Sequence, residues 1–371
     1  MDSVTERRRP SWTAIARRVV AAFALGIVVL VALALALFPD ARYLAHAGLE
    51  EARILWRRRP IAALAADART PAALRQRLTL VLAARQFAAD SLHLVVGGTY
   101  TTYVDVGRDT LLLVLSAARP DKLREYSWDF PIVGTVPYKG FFDAAAARRA
   151  ADVLSTQGYD VYLRPSGAFS TLGYFSDPLF STAISRDTME LVATVLHELA
   201  HNTLYVKSNT PFDESFASFV GYRGAEAFFR ARRDTIDARR AAARWRDERI
   251  LDVFYAELAR RLDSAYAAPL APAALARTRS ELFGWARAQL AGTVGQGLET
   301  YDWRWFVRAP LNNATVIAQR LYRMNLNLFD DIYLQNNANV TETIRSIQLR
   351  VLTGGPDPYQ ALYSRKDQPP D

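Results

Sequence analysis

The feature that most restricts how this chain can fold is a pair of histidines four residues apart. They belong to the segment His197-Glu-Leu-Ala-His201, an H-E-x-x-H pattern inside an amphipathic stretch from residue 187 to residue 206. In a helix, residues i and i+4 lie one above the other on the same face, so two imidazoles there can bind one metal ion. The pattern therefore predicts a helix whose histidine face borders a cleft.

The residues before the histidines support this helix. Asp187 and Glu190 have the spacing of a capping box, which satisfies the free N–H groups at a helix start. An apolar stripe with helical spacing follows, formed by Met189, Val192, Val195, Leu196 and Leu199. We therefore expect the helix to begin at Asp187 and to bury this stripe.

H-E-x-x-H is typical of zinc sites, in which the intervening glutamate acts as a base. Here that residue is Glu198, next to the first histidine. A pattern that fixes only three positions also occurs by chance in unrelated chains, but two of the four histidines of this chain form it. His46 and His93 are interpreted as ordinary surface histidines.

A catalytic zinc site needs a third protein ligand, and the next segment offers one. Pro211 and aromatic residues at helical spacing predict a second helix over residues 210–219. If the two helices pack as an antiparallel hairpin, Glu214 faces the histidines and is the predicted ligand. Asp213 is the predicted supporting residue, hydrogen-bonded to a ligating histidine. The alternative is that both acids merely complement the dipole of a helix N-terminus.

An uninterrupted apolar run from Val19 to Phe38 has the length that spans a bilayer. Five arginines precede it, at positions 7, 8, 9, 17 and 18, so the positive-inside rule predicts a cytoplasmic N-terminus and export of the rest of the chain. A cleavable signal peptide is the alternative, because residues 32–36 resemble a cleavage site. The run is longer than a signal h-region, which favours an uncleaved anchor.

Several segments together resemble a family of bacterial proteins called putative aminopeptidases, of the gluzincin type. The segments that carry the resemblance are His197–His201, Leu204–Lys207, Phe212–Ala217, Arg59–Ile61, Tyr138–Phe142, Tyr159–Tyr162, Phe169–Gly173 and Leu311–Ala314. They cover most of the chain beyond the apolar run, and the histidine motif is the most specific of them.

The resemblance implies zinc-dependent peptide hydrolysis. It implies His197, His201 and Glu214 as zinc ligands and Glu198 as the catalytic carboxylate, with one zinc per chain. This sequence departs from the family in two places: Asp213 stands where members usually have Asn, and residues 128–136 lack the cysteines that many members carry. The first change leaves the proposed ligands intact, and the second bears on stability more than on chemistry.

The remaining sequence predicts an α+β architecture that is rich in helices. Predicted helices cover residues 48–67, 70–92, 143–156, 225–266 with one break, 272–290, 312–323 and 340–352. Predicted strands cover residues 99–106, 110–117, 132–138 and 159–163. Residues Ala168 to Gly173 are either an edge strand that holds an extended peptide or a plain connection. We therefore expect a zincin-like fold with a small β-sheet and an active-site helix hairpin, preceded by one transmembrane helix.

The expected organisation has four parts. Residues 1–18 are a basic cytoplasmic N-terminus and residues 19–38 the anchor. A metallopeptidase domain covers residues 40–353, with an α+β part to residue 224 and a helical part from residue 225. Residues 354–371, rich in Pro and Gly, are expected to form a flexible tail.

The formal net charge of +8 is carried almost entirely by arginine. Such a charge can indicate nucleic-acid binding, but no nucleic-acid recognition motif is present. We interpret the arginines as solvated helix faces and membrane-proximal charge. The chain has no cysteine, which excludes disulfides and a lipid-modified cysteine at the N-terminus.

The predicted function is a zinc peptidase, an aminopeptidase by its resemblance, of the bacterial inner membrane with its catalytic domain in the periplasm, acting on peptide or protein substrates. Tyr205, Tyr222 and Asn313 are candidates for the group that stabilises the tetrahedral oxyanion. Two alternatives stay open: an endopeptidase of envelope proteins, and a membrane-anchored scaffold with a structural zinc. The sequence does not predict the oligomeric state.

Overall fold

The computed structural model describes residues 12–130, 134–166, 177–184 and 187–363. The chain divides into two compact units, Met1–Trp56 and Arg57–Asp371. Within the first unit the described residues form helix α1 (Trp12–Leu37) and helix α2 (Pro39–Trp56). Arg42 of α2 donates a hydrogen bond to the carbonyl of Leu35 at 3.0 Å, which caps the end of α1.

Helix α1 contains a stretch, Ala16–Leu37, that is long and apolar enough to cross a membrane. Its 22 residues extend about 33 Å as a helix, slightly more than the hydrocarbon thickness of a typical bilayer. The apolar side chains that are described along this stretch, such as Val20, Phe23 and Leu30, are exposed. A membrane anchor and a signal sequence share these properties.

The second unit is mainly helical. Its helices are α3 (Ile61–Ala66), α4 (Ala72–Asp90), α5 (Ala144–Thr156), α6 (Thr188–Thr203), α7 (Thr210–Ala231), α8 (Thr235–Ala267), α9 (Pro272–Ala291), α10 (Thr293–Gln296), α11 (Trp303–Arg308), α12 (Asn313–Tyr322), α13 (Leu326–Gln335), α14 (Val340–Thr353) and α15 (Pro358–Leu362).

Eight short strands form three small sheets within the described residues. The strands are β1 (Arg59–Pro60), β2 (Thr102–Val104), β3 (Leu112–Ala118), β4 (Trp128–Phe130), β5 (Gly134–Val136), β6 (Tyr138–Phe141), β7 (Asp160–Ser166) and β8 (Leu179–Phe180). One sheet has the order β1-β2-β8, with β2 and β8 parallel, and a second has the antiparallel order β6-β3-β7. Strands β4 and β5 form a hairpin. In the second sheet Leu115 of β3 lies opposite Lys139 and Leu163.

Helices α6 and α7 form the centre of the second unit, and two glycines let them approach closely. A Cβ added at Gly221 would lie 2.9 Å from the carbonyl oxygen of Ala193, and one at Gly224 would lie 2.9 Å from a methyl group of Leu196. A side chain at either position would therefore push the two helices apart. The surrounding core is apolar and includes the fully buried Phe212, Phe216 and Phe219 of α7.

The structure confirms a helix-rich α+β class with small sheets and one apolar helix near the N-terminus. The expected single helix over residues 48–67 is wrong, because α2 ends at Trp56 and α3 begins at Ile61. Arg59 and Pro60 between them are extended and pair with β2. Proline disfavours helical backbone at the residue before it, which explains the break.

The break expected between residues 225 and 266 lies after Ala231, where Arg233 has a left-handed φ of 61°. The segment expected as a flexible tail contains α15, whose Tyr359 and Leu362 are buried in the core. The folded part therefore extends at least to that helix. Residues Ala168 to Gly173, the possible edge strand, lie outside the described residues.

Candidate metal centre

The start of α6 is fixed by its cap. The Asp187 carboxylate accepts hydrogen bonds from the backbone N–H groups of Met189 at 2.9 Å and Glu190 at 3.3 Å. Glu190, the predicted partner of the capping box, forms an ion pair with Arg244 of α8 at 2.9 Å. The helix therefore begins where the sequence predicted, and its first turn is tied to α8.

Helix α7 begins just after a short connection from α6. The Asn209 side chain accepts a hydrogen bond from the N–H of Phe212 at 3.3 Å, and Pro211 occupies the first turn. Glu214 faces α6 because it lies seven positions before Gly221 on the same helix face, and a Cβ at Gly221 would lie 3.3 Å from the Cβ of His197. The hairpin therefore brings Glu214 to the histidines.

Three side chains converge at this point. The Nε2 atoms of His197 and His201 lie 3.3 Å apart. The two carboxylate oxygens of Glu214 lie 3.2 Å from Nε2 of His197 and 3.8 Å from Nε2 of His201. Two ligand atoms bound tetrahedrally to zinc at about 2.0–2.1 Å lie about 3.3 Å apart, so these separations fit a shared ion. All three side chains are largely buried.

The pKa values of His201 and Glu214 favour the protonation states that bind a cation. Burial, and then the neighbouring His197, lower the pKa of His201 to about 4. Burial favours the neutral form of Glu214, but the hydrogen bond from His197 and the charges of His197, His201 and Arg164 together outweigh it and lower the pKa of that carboxyl. Burial opposes protonation of His197, but the hydrogen bond to Glu214 and the nearby carboxylates outweigh it and raise its pKa. A neutral imidazole and an ionised carboxylate are the forms that bind metal.

Glu198 lies beside this cluster. Burial raises the pKa of its carboxyl to about 7, with a further contribution from Glu214 and an opposing one from His197. A general base works best when its pKa is close to the operating pH. The environment of Glu198 therefore suits a group that both accepts and returns a proton.

Asp213 has a different role from the one expected. One of its carboxylate oxygens accepts a hydrogen bond from the backbone N–H of Val206 at 2.8 Å. The other is buried and has no hydrogen-bond partner among the described residues, so the expected bond to a ligating histidine is wrong. Burial raises the pKa of Asp213 to about 6. Asp213 fixes the connection between α6 and α7, because it sits on the first turn of α7.

A family model described as putative aminopeptidase matches residues 42–354. The chain belongs to this family. The matched residues include the whole α6–α7 hairpin and its three converging side chains. No curated protein and no solved structure matches the chain. Membership in this aminopeptidase family supports peptidase activity.

Two of the three residues predicted to stabilise the oxyanion lie elsewhere in this member of the family. Tyr205 follows the end of α6 and is 68% exposed. Asn313 is fully buried at the start of α12, where it donates to the carbonyl of Arg119 at 2.8 Å and accepts from the hydroxyl of Tyr266 at 2.8 Å. The bonds of Asn313 commit its side chain to another part of the fold, so that placement is wrong, whereas the role of Tyr205 stays a prediction. Tyr222 does lie near the site, in the wall of a cavity.

The structure brings other polar groups to the cluster that the sequence did not indicate. Arg164 of β7 is close enough to Glu214 to help lower the pKa of that carboxyl. Tyr322, at the end of α12, lies against Arg164, whose guanidinium carbon is 5.5 Å from the centroid of the Tyr322 ring. Burial raises the pKa of the Tyr322 hydroxyl to about 12. Within the described part of the chain Arg164 has no carboxylate within salt-bridge distance. No spacing pattern links these residues to the motif, since they come from distant elements.

A cavity of about 400 Å³ opens beside the cluster. His197 and Glu198 form part of its wall, together with residues of α7, α8, α11 and α12. Arg164 and Tyr322 also line it. The volume falls within the range of small-molecule sites in proteins. This family member therefore has a recess next to its candidate metal ligands that is large enough for part of a peptide.

Proposed function

We propose that the protein is a membrane-anchored, zinc-dependent aminopeptidase in which His197, His201 and Glu214 hold the metal. The observation that carries the proposal is the convergence of two imidazole Nε2 atoms 3.3 Å apart on one carboxylate. Nitrogen and oxygen donors in this number are those of catalytic zinc sites that leave one position for water or substrate. Zinc bound there supplies acidification of water and polarisation of the scissile carbonyl.

Glu198 is the proposed general base. Its carboxylate accepts a proton from the water that attacks the peptide carbonyl, and the resulting carboxylic acid returns that proton to the leaving amine. The pKa of about 7 suits both steps, since the group is neither fully ionised nor fully protonated near neutral pH. Glu198 directly follows His197 on the buried helix α6, so the helix backbone fixes the position of its side chain relative to that histidine.

Arg164 is the proposed electrophile for the oxyanion that forms during attack. It lines the same cavity as His197 and Glu198 and is without a carboxylate partner among the described residues. Its contact with the ring of Tyr322, 5.5 Å from guanidinium carbon to ring centroid, orients it. A cation held in a partly buried site stabilises developing negative charge more strongly than one in water. Arg164 therefore replaces Tyr205 and Asn313 in our assignment.

Helix α1 is the proposed anchor. Five arginines precede its apolar stretch, which favours a cytoplasmic N-terminus and a catalytic unit on the outer side of the bacterial inner membrane. Substrates would then be peptides or proteins of the periplasm. A reporter fused after Asp371 tests this topology: we expect it to be active only outside the cytoplasm, and activity confined to the cytoplasm would contradict the proposal.

Hydrolysis of matched peptides tests the activity. The detergent-solubilised full chain is incubated with one pentapeptide that has a free amine and with the same peptide acetylated, before and after removal of metal by a chelator. We expect stepwise loss of N-terminal residues from the free peptide only, abolished by the chelator and restored by zinc. Internal cleavage of both peptides would identify an endopeptidase. Absence of cleavage in a protein that still holds zinc would indicate a scaffold with a structural metal.

A further inference from the structure

The cavity beside the metal cluster runs along one face of α6. Glu190, Thr194 and His197 all line it, and they follow one another at intervals of four and three residues. Residues at these intervals share a helix face, so the cavity extends from the histidine toward the start of α6. Glu190 and His197 are seven positions apart in the helix, which places the two ends of this wall about 10 Å apart along the helix axis.

The far end of the cavity contains charged groups that already have partners. Glu190 is paired with Arg244 at 2.9 Å. Glu248 of α8 is paired with Arg323 at 2.5 Å and accepts a hydrogen bond from the hydroxyl of Tyr301. Each acid there thus has a guanidinium against it.

This pairing decides which ligands suit the far end. A cationic side chain would meet two carboxylates whose charge is already balanced by Arg244 and Arg323, and an anionic one would be repelled by the same two carboxylates. Either would lose its hydration without finding a free counter-charge, which is costly in a buried site. An uncharged side chain has no such cost.

Part of the wall and the rim of the cavity is apolar. Trp305 and Phe306 of α11 border it, with ring centroids 5.1 Å apart in an edge-to-face arrangement. Ala193 of α6 and Ala318 of α12 contribute small side chains, which leave the interior open. Trp305 is 56% exposed, so its ring is available for contact with a bound group. Aromatic walls favour burial of a large apolar or aromatic side chain.

We propose that this cavity is the specificity pocket of the enzyme, which receives a large uncharged side chain, aromatic or long aliphatic, from a residue that flanks the scissile bond. The proposal rests on the proposed function, because it takes the His197–Glu198 end of the cavity as the site of hydrolysis. Its volume of about 400 Å³ accommodates such a side chain without rearrangement.

The test compares kcat/KM of the zinc-loaded full chain on free-amine tripeptide amides. In one series the first residue is varied and in the other the second, among Ala, Leu, Phe, Lys and Glu, with Ala at all other positions. In one of the two series we expect Phe and Leu to exceed Ala by at least about tenfold, and Lys and Glu to fall at or below Ala. A preference for Lys or Glu in both series, or no preference in either, would overturn the proposal.

Two variants connect the preference to the cavity. Thr194→Leu places a larger side chain in its wall, and Trp305→Ala removes its exposed rim without disturbing the core. Each should lower the Phe-to-Ala ratio of kcat/KM about tenfold or more. Thr79→Leu is the matched control, because Thr79 is exposed on α4 and bonds only to its own helix at 2.9 Å. An unchanged ratio in both cavity variants would refute the assignment.

The experiments distinguish a wrong assignment of the specificity pocket from a wrong proposed function. An enzyme that cleaves free-amine peptides with zinc but keeps its ratio in both Thr194→Leu and Trp305→Ala has its specificity elsewhere. A chain that cleaves none of the tripeptide amides, with or without zinc, contradicts the proposed function and the pocket with it. Zinc content and circular dichroism of each variant show whether it has folded.

Discussion

Replacing Asp213 by asparagine should stabilise the folded chain above neutral pH. The amide of the variant would keep an oxygen that accepts the hydrogen bond from Val206, now 2.8 Å long. It would remove a buried negative charge that lies near Glu214 and has one oxygen without a hydrogen-bond partner among the described residues. The wild-type chain therefore bears an electrostatic cost at this position that the variant avoids.

The magnitude follows from the pKa of Asp213. Burial raises it from 3.8 to about 6, and each pKa unit corresponds to about 1.36 kcal/mol, which gives an upper bound of about 3 kcal/mol. Relaxation of the protein around a buried charge reduces the real penalty, so we expect about 1–2 kcal/mol. The raised pKa also sets how the free energy of unfolding changes with pH. Between about pH 4 and pH 6 the folded state binds the proton of Asp213 more tightly than the unfolded state, so the wild-type stability falls as the pH rises. Above about pH 6 the cost is constant.

The assay is urea unfolding of the full chain in detergent, with a chelator present throughout. We expect Asp213→Asn to exceed the wild type by about 1–2 kcal/mol at about pH 8 and to match it near pH 4. Asp213→Ala is the control, because it removes both the charge and the acceptor for Val206, and should gain less than the asparagine variant. A variant that is less stable than the wild type at the higher pH, or a difference independent of pH, would refute the reasoning.

Three further predictions concern the site. Glu198→Gln should retain zinc and lose about 10²–10⁴-fold in kcat, since it removes proton transfer and no proposed ligand; near-wild-type turnover would contradict its role. Glu214→Gln should weaken zinc affinity by at least about 100-fold in competition with a chromogenic chelator, and unchanged affinity would exclude it as a ligand. Arg164→Met should lower kcat about 10²–10³-fold with little change in KM or zinc content, whereas a change confined to KM would place Arg164 in substrate binding.

The local parts of this site could be predicted from the sequence because they depend on helix periodicity. The interval between His197 and His201 requires a shared face, and the position of Glu214 follows from a short connection between two amphipathic helices. The structure places these three side chains together. The start of α6 at Asp187 could likewise be predicted from residue type and spacing.

The rest depended on tertiary packing. Arg164 lies on a strand, and Tyr322 lies at the end of a helix more than 150 residues later, so no periodic pattern could bring them to the histidines. Asn313 failed as a candidate because its amide satisfies buried backbone carbonyls such as that of Arg119, a demand that the sequence does not reveal. The helix predicted through Pro60 failed for a local reason, the proline itself, but the pairing of this segment with β2, about 40 residues away, could not be foreseen.

X-ray absorption at the zinc edge tests the central claim most directly. The full chain, purified without chelator and analysed together with its zinc-to-protein ratio, should contain about one zinc per chain in a four-coordinate shell of nitrogen and oxygen atoms at about 2.0–2.1 Å. Two imidazole rings should contribute to the spectrum, and His201→Ala should lose one of them. A protein without zinc, or a spectrum unchanged by His201→Ala, would contradict the assignment of His197, His201 and Glu214 as the metal site.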